Sequence, residues 1–304
     1  MGKILFFGGK GGVGKTSCSS AYALQRSREG KKVLLISTDP AHSVSDLFEC
    51  KIGNEIIKIR ENLYATEIDA EQEAEKYIEG IRKNISKIYS QVVIAEINKQ
   101  LDSAKLSPGT YEAALFDCIV KIINETSESY DYIIFDTAPT GHTVRLLTLP
   151  DLLDSWVNSL LRKRKETVRY KEMREQTKVG TSKDEIIEIL TRRQESLKKA
   201  KSILLDSGKL GFFFVLNAEK LAIDETRKAA DILNKYNIPI AGFVVNRILP
   251  EQQSDEFWRK KKEIEAKHLQ EIEEAFRYAR IYKIPLLVSD MNRNEVESIA
   301  ENFI

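Results

Sequence analysis

The feature that most constrains this chain is the run Gly9-Lys10-Gly11-Gly12-Val13-Gly14-Lys15-Thr16, which follows the apolar segment Ile4–Phe7. A helix-forming stretch comes directly after it. A buried strand that leads through a glycine-rich turn into a helix places backbone N–H groups and the positive end of the helix dipole around an anion. The run also has the G-x-x-x-x-G-K-[ST] spacing. It therefore predicts a loop that binds phosphate groups.

The residues of this loop have distinct expected roles. Lys15 is spaced to reach the β- and γ-phosphates of a nucleoside triphosphate, and the Thr16 hydroxyl is placed to ligate Mg²⁺. Ser17 could add a contact to the α-phosphate. An ordinary glycine-rich turn is the alternative interpretation, but the strand–loop–helix setting favours a nucleotide site formed by residues Gly9 to Ser17.

Lys10 is a second lysine in the loop, at a position on its open rim. The nucleotide of the same chain is already surrounded by amides and Lys15. An extra cation on the rim could cross a two-fold axis and reach phosphates held by a second copy of the chain, as an arginine finger does in trans. The alternative is a solvated surface lysine.

Two acidic residues follow apolar runs that are typical of buried parallel strands, Lys32–Ser37 and Tyr132–Phe135. Asp39 follows the first run, and we expect it to position or deprotonate the attacking water. Asp136 closes the second run as a Mg²⁺ anchor would, acting through water. Gly141 can offer an N–H to the γ-phosphate and flex when that phosphate leaves. The alternative for Asp136 is a structural aspartate at a strand end.

Three other polar residues lie near the same predicted edge of the sheet. Asn246 ends a late strand, and its amide donor and acceptor could recognise adenine. A turn asparagine is the alternative. For His42 and His142, satisfied hydrogen-bonding roles are favoured over contact with the nucleotide.

The remaining pattern alternates strands with helices, which predicts an α/β fold with a mostly parallel sheet flanked by helices. We expect one domain over residues 1–304, with a helical subdomain formed by insertions at about 70–129 and 151–205. Further strands are predicted at 63–68, 212–216, 240–245 and 284–288, and further helices at 16–29, 221–236, 253–280 and 292–302.

The composition of the chain limits the classes of partner and the cell compartment that we expect for it. With 47 basic and 46 acidic side chains, the chain has no global field to recruit nucleic acid, so a nucleic-acid partner is disfavoured. Residues 162–184 hold nine basic and four acidic side chains, which leaves a local route to DNA. Three isolated cysteines favour a reducing cytosol and indicate no zinc site. No apolar stretch suits a membrane span or a signal peptide, so a cytoplasmic protein is expected.

Taken together, three motifs resemble those of the ArsA/GET family of ATPases: the glycine-rich loop, Asp39-Pro40-Ala41-His42-Ser43, and residues 136–142 with the sequence DTAPTGH. This family includes arsenite-pump ATPases and targeting factors for tail-anchored membrane proteins. The resemblance spans essentially the whole chain and implies ATP and Mg²⁺ as cofactors and a homodimer. It also implies that Lys10 is the signature lysine of a deviant Walker A loop that contacts ATP across the dimer, that Asp39 activates water and that Asn246 recognises adenine.

The resemblance further implies a switch that binds and targets hydrophobic transmembrane segments, with room for a membrane receptor. A client helix would lie in a groove of the helical subdomain. Val93, Ile97, Leu153 and Trp156 are candidates for that groove, and plain core residues are the alternative.

Three rival functions stay open at this point. An arsenite-stimulated pump subunit is disfavoured because Cys118 is the lone cysteine near the helical region. The second rival is a MinD/ParA-like positioning ATPase that binds membrane or DNA. MinD-like proteins usually need a basic amphipathic C-terminal helix, whereas residues 295–304 are acidic and short; the basic residues 162–184 leave DNA binding open. The third is an interaction module without catalysis, which the intact Lys15, Asp39 and Asp136 argue against.

The segment Leu249–Lys262 lacks the Cys-x-x-Cys pair of several targeting factors, so a zinc-clamped dimer is not expected.

Overall fold

The computed structural model describes residues 2–39, 43–86, 98, 108–137, 158–159, 161–170, 173, 184–204, 206, 208–251, 255–289 and 292–304. The chain divides into two compact units. The first comprises Met1–Ala70, Thr126–Arg145 and Leu204–Ile304, and the second comprises Glu71–Glu125 and Leu146–Ile203. That the chain acts as one ATPase domain bearing a helical subdomain stays a prediction.

An eight-stranded sheet forms the centre of the first unit in the part of the chain that the structure describes. Its strands are β1 (Lys3–Gly9), β2 (Val33–Ser37), β3 (Ile57–Arg60), β4 (Leu63–Glu67), β5 (Tyr132–Asp136), β6 (Leu210–Asn217), β7 (Ile240–Ile248) and β8 (Arg280–Pro285). They lie in the order β3-β4-β2-β5-β1-β6-β7-β8. Every neighbouring pair is parallel except β3 and β4. The mostly parallel α/β fold predicted from the sequence is confirmed.

Helices connect most of these strands along the chain. They include α1 (Lys15–Arg28), α2 (Ser43–Phe48), α3 (Ala70–Ser86), α4 (Pro108–Thr126), α5 (Glu185–Leu204), α6 (Lys220–Lys235), α7 (Glu256–Ala275) and α8 (Arg293–Ala300), followed by a short 3-10 helix, Glu301–Phe303. Among these described helices, none combines the length and apolar character that crossing a bilayer requires.

Aromatic side chains hold both faces of the sheet to its helices. On one face the rings of Phe7 and Phe213 stack 4.8 Å apart, and Tyr22 of α1 lies 5.6 Å from Phe7. On the other face Phe243 of β7 stacks 4.2 Å from Phe276, just past the end of α7. Such pairs add specific geometry to apolar burial. Because both faces are covered, the central strands are uniformly apolar, and β2 is buried at every residue.

The second unit is helical where the structure describes it. Phe116, Ile119 and Ile123 recur at helical spacing in the sequence, and all three are buried on α4. Asn124 of α4 donates to the Ser196 hydroxyl of α5 at 3.2 Å. Helix α4 begins at Pro108, where a missing N–H costs nothing. The four groove candidates, Val93, Ile97, Leu153 and Trp156, lie outside the described residues.

The boundaries predicted after β7 were wrong. Helix α7 ends at Ala275 rather than near 280, and β8 covers Arg280–Pro285 rather than 284–288. Pro285 has no N–H to continue a ladder, and Val288 beyond it is fully exposed. Strand β8 is an edge strand in which Ile284 is buried and the other residues are exposed or half-exposed, so it lacks the apolar run that marks a buried strand. The short, charged edge strand β3 was missed for the same reason.

A buried glutamate fixes the start of α2. Glu67, at the end of β4, is 2% exposed. Its Oε1 accepts the backbone N–H groups of Val44 and Ser45 at 2.9 and 3.0 Å, and its Oε2 accepts the Ser45 hydroxyl at 2.7 Å. These are first-turn donors that lack partners within the helix, and the carboxylate also complements the helix dipole. Glu67 therefore anchors the first turn of α2.

We expect Glu67→Gln to lower the free energy of unfolding by about 1–3 kcal/mol, because the amide replaces an acceptor by a donor and removes the charge. Urea denaturation followed by circular dichroism measures this loss. Glu61→Gln is the matched control, since Glu61 is exposed in the turn between β3 and β4; it should stay within about 0.5 kcal/mol of the parent protein. Equal stabilities for the two variants would contradict the anchoring role.

Candidate nucleotide-binding site

The glycine-rich loop connects the centre of the sheet to α1. Strand β1 lies between β5 and β6, and the loop leaves its carboxyl end at Gly9. Gly12 and Gly14 have φ of +80° and +92°, in the left-handed region that favours glycine. A Cβ at Gly9 would lie 2.1 Å from the Val215 carbonyl oxygen, so this position also requires a bare backbone. The loop conformation therefore depends on its glycines.

The loop leaves backbone donors open at the amino end of α1. Gly14 caps the helix without a side-chain acceptor, no acidic residue occupies the first turn, and the Cys18 N–H makes an early helical bond to the Gly14 carbonyl at 3.0 Å. A Cβ on Gly11 or Gly12 would meet nothing within 4 Å, so the outer side of the loop is open. Free N–H groups at a positive dipole end form an anion site.

Asp136 is the most unusual residue of the site. It closes β5, has no exposed surface, and neither carboxylate oxygen accepts a hydrogen bond within the described structure. Burial raises its pKa to about 7, and the charge of Asp39 adds to the rise. The Thr16 and Ser19 hydroxyls and the Lys15 ammonium favour the charged form, although neither hydroxyl reaches full hydrogen-bond geometry. A buried carboxylate without a partner is costly unless a ligand engages it.

Lys15 and Asp39 belong to the same electrostatic group. Burial lowers the pKa of Lys15, while the carboxylates of Asp136 and Asp39 oppose that change. The Lys15 ammonium donates to the Lys10 carbonyl at 3.3 Å, across the loop. Asp39 is half-buried, and its backbone N–H donates to the Ser37 hydroxyl at 3.3 Å. The fold thus brings together three residues that are far apart in the sequence.

Lys10 occupies a half-exposed position in the loop. Its side chain is 40% exposed, and its ammonium lies 3.5 Å from a carboxylate oxygen of Glu225 on α6. Glu225 belongs to no motif, so this pairing could not be predicted from sequence patterns. Thr16 and Ser17, the other loop residues with functional hydroxyls, are half-buried at the start of α1.

The side chain of Asn246 holds the glycine-rich loop through a hydrogen bond. Its side-chain amide donates to the Val13 carbonyl at 2.8 Å, and its oxygen accepts the N–H of Arg247 at 2.9 Å. A Cβ on Gly14 would lie 2.3 Å from the Asn246 amide nitrogen, so loop and side chain are in close contact. Supporting the loop is a role that the sequence did not reveal. Adenine recognition by Asn246 stays a prediction.

A cavity of about 480 Å³ lies at the carboxyl ends of β6, β7 and β8, where Arg247, the residue after Asn246, forms part of its lining. Trp258, Ile264 and Leu286 supply apolar walls, and Arg247 and Lys261 supply positive charge. Ligands of parallel α/β sheets bind at this edge. Gly141, His42 and His142, the remaining candidates at this edge, lie outside the described residues.

The three cysteines are free thiols at separate places. Burial raises the pKa of Cys18, which lies in the core under the loop, and burial also raises that of Cys118 to about 12. Soft metals and metalloids bind thiolates, which these environments disfavour. In the described part of the chain, no group of three or more His, Cys, Asp or Glu side chains could hold a metal ion.

The raised pKa of Asp136 predicts how stability depends on pH. In the folded chain the carboxyl of Asp136 has a pKa of about 7, whereas in the unfolded chain it has the ordinary aspartate pKa of 3.8. The contribution of Asp136 to stability should therefore fall as pH rises from about 4 to 7 and then level off. Asp136→Asn should remove this slope and stabilise the protein at pH 8 by about 2–4 kcal/mol.

Calorimetric melting temperatures at pH 5 and pH 8 test this expectation, with the exposed Asp231→Asn as the matched control. The asparagine at 136 should gain more stability at pH 8 than at pH 5, relative to the parent protein. A loss of stability at pH 8 would show that the Asp136 carboxylate has partners that stabilise its charge.

Comparison with known proteins agrees with this geometry. The chain matches the anion-transporting ATPase family over residues 2–303. It is 38% identical, over 93% of its length and 92% of the relative, to an Aquifex aeolicus protein provisionally named arsenical pump-driving ATPase 2. It is 33% identical to ATPase get3 of Aspergillus niger, over 96% and 86% of the two chains. It is 32% identical to an ATPase ASNA1 homolog of Entamoeba dispar, over 98% and 90%.

The match covers both the loop and the strands that carry Asp39, Asp136 and Asn246. The arsenical pump-driving relative and the get3 and ASNA1 relatives are all named as ATPases. The chain is therefore an ATPase that belongs to the ArsA, or anion-transporting ATPase, family, which here includes relatives of the GET type.

Proposed function

We propose that this ATPase is a homodimeric switch that binds hydrophobic transmembrane segments, in particular those of tail-anchored membrane proteins, and directs them to a membrane. The observation that carries the nucleotide part is the fully buried Asp136, which has no hydrogen-bond partner in the described structure and lies close to Thr16 and Lys15. Such a carboxylate beside an open phosphate loop suits a site completed by a metal–nucleotide complex.

The residues present fit Mg²⁺. The Thr16 hydroxyl and the Asp136 carboxylate are hard oxygen donors, and neither carboxylate oxygen of Asp136 accepts a hydrogen bond within the described structure. We propose that Thr16 holds the ion directly and that Asp136 holds it through water. Bound there, Mg²⁺ would neutralise phosphate charge during transfer. The same charge would return Asp136 to its ionised form, because a nearby cation favours the carboxylate.

We assign phosphate binding, activation of water and stabilisation of the transition state to different residues of the chain. Lys15 exchanges its bond to the Lys10 carbonyl for the β- and γ-phosphates, and the first-turn N–H groups of α1 bind the phosphate oxygens. Asp39, held beside Lys15 at the end of β2, orients the attacking water and accepts its proton. Lys10 reaches the phosphates of the second copy and stabilises the charge that develops there.

We propose that the base of ATP lies in the cavity that is lined by Arg247, the residue after Asn246. Its apolar walls and neighbouring cations suit a flat, polar-edged ring next to phosphates, and Trp258 offers a surface for stacking. Asn246 would then act twice, by supporting the loop through Val13 and by facing the base.

The client assignment rests on the family resemblance and on the chemistry of the cysteines. Arsenite requires several thiolates, whereas Cys18, Cys50 and Cys118 are separate and have raised pKa values. This arrangement favours a hydrophobic client over a metalloid. An arsenite-stimulated ATPase is the second candidate, supported by the provisional name of the Aquifex aeolicus relative.

Lys10→Ala and Asp39→Asn should each lower kcat by about 100-fold or more, because each removes a group that acts in the transition state. Asp39→Asn should still bind ATP, since it leaves the phosphate loop intact. Phosphate release assays and isothermal titration calorimetry measure the two quantities. Lys31→Ala, which removes an exposed lysine at the other end of α1, is the control and should keep parental turnover. Full turnover by the Lys10 variant would contradict its catalytic role.

Co-expression with a tail-anchored membrane protein tests the client. We expect the two proteins to co-purify, more strongly with Asp39→Asn in ATP than in ADP, because blocked hydrolysis preserves the closed switch. The same client without its C-terminal apolar segment is the control and should not co-purify.

Two rival functions each predict a distinct experimental result. Failure to capture the client, together with arsenite stimulation that Cys118→Ser abolishes, would replace the client proposal by a pump function. A gel shift with DNA that weakens steeply with salt would instead favour a positioning ATPase.

A further inference from the structure

Lys10 makes contacts within its own chain through both its side-chain ammonium and its backbone carbonyl. Its ammonium lies 3.5 Å from Glu225 Oε1, and its carbonyl accepts the Lys15 ammonium at 3.3 Å. Glu225 lies in the second turn of α6, the helix that follows β6. The residue expected to leave its chain and reach a partner is thus paired with a carboxylate of its own chain.

The neighbours of Glu225 are neutralised by other residues. Lys220 lies 3.3 Å from Asp224 and 2.8 Å from Glu271, and Arg227 lies 3.7 and 3.3 Å from the same two acids. Within the described structure, Glu225 forms an ion pair with Lys10 and with no other basic side chain. The pairing is therefore specific to these two residues rather than part of a shared network.

The two restraints on residue 10 would be released in sequence. Phosphates that take the Lys15 ammonium must displace its bond to the Lys10 carbonyl, which loosens the rim of the loop. The Glu225 ion pair then remains. Since its side chains are 40% and 47% exposed, it is a weak contact that salt screens. A triphosphate in a second copy offers several negative charges and can outcompete a single exposed carboxylate.

We propose that Glu225 is an intramolecular latch for Lys10, which competes with the nucleotide of a second copy and so opposes assembly of the active dimer. This inference rests on the proposed function, in which Lys10 acts in trans. The latch sets the nucleotide concentration at which two copies engage, and it keeps the rim lysine out of other anionic contacts until then.

The test uses the full chain with Asp39→Asn, so that ATP and Mg²⁺ persist, and measures the dimer dissociation constant by analytical ultracentrifugation. Adding Glu225→Gln should lower that constant by about 2- to 25-fold, because two exposed pairs per dimer are removed. Asp224→Asn is the matched control. It makes the same change of charge one residue away, on an acid paired with Lys220 and Arg227, and should leave the constant within about 2-fold.

A double-mutant cycle shows whether the effect passes through Lys10. In a Lys10→Ala background, Glu225→Gln should no longer change the dissociation constant. An unchanged constant for Glu225→Gln, an equal change for Asp224→Asn, or an effect that persists without Lys10 would each overturn the latch while leaving the dimer intact. Absence of any ATP-dependent dimer would overturn the proposed function and the latch with it.

Discussion

Three parallel strands end together at the amino terminus of α1, and the site depends on this convergence. In the sheet, Phe7 of β1 and Ser37 of β2 flank Asp136 of β5 in register. The residues that follow these strands therefore meet at one edge, where the dipole of α1 is positive. Lys15, Asp39 and Asp136 act on one another's charge only because of this register.

Burial disfavours the charged forms of two residues of the site, and a bound metal–nucleotide complex would offset this effect. Burial raises the pKa of Asp136 and lowers that of Lys15, so each group is disfavoured in its charged form. A divalent cation beside the carboxylate and phosphates beside the ammonium would reverse both effects. This gives a physical reason for a fully buried carboxylate without a hydrogen-bond partner, and it links ligand binding to release of the Lys10 carbonyl.

The sequence predicted the parts of the site that are local or that follow apolar runs. The glycine-rich loop is contiguous, and Asp39 and Asp136 each come after a buried strand. Glu67 and Glu225 could not be predicted, because their roles arise from contacts with elements far along the chain and neither belongs to a motif. The support that Asn246 gives to Val13 likewise required the fold. Strand β8 was misplaced because an exposed edge strand carries little apolar signal.

Mixing two inactive variants tests the central claim that Lys10 acts across the dimer. The ATPase rate of an equimolar, re-equilibrated mixture of Lys10→Ala and Asp39→Asn is the measurement. If Lys10 acts in trans, half of the dimers contain one site with an intact Asp39 and a partner's intact Lys10, and about a quarter of parental activity returns. If Lys10 acts within its own chain, every site lacks one of the two residues, and a mixture that stays inactive would contradict the account.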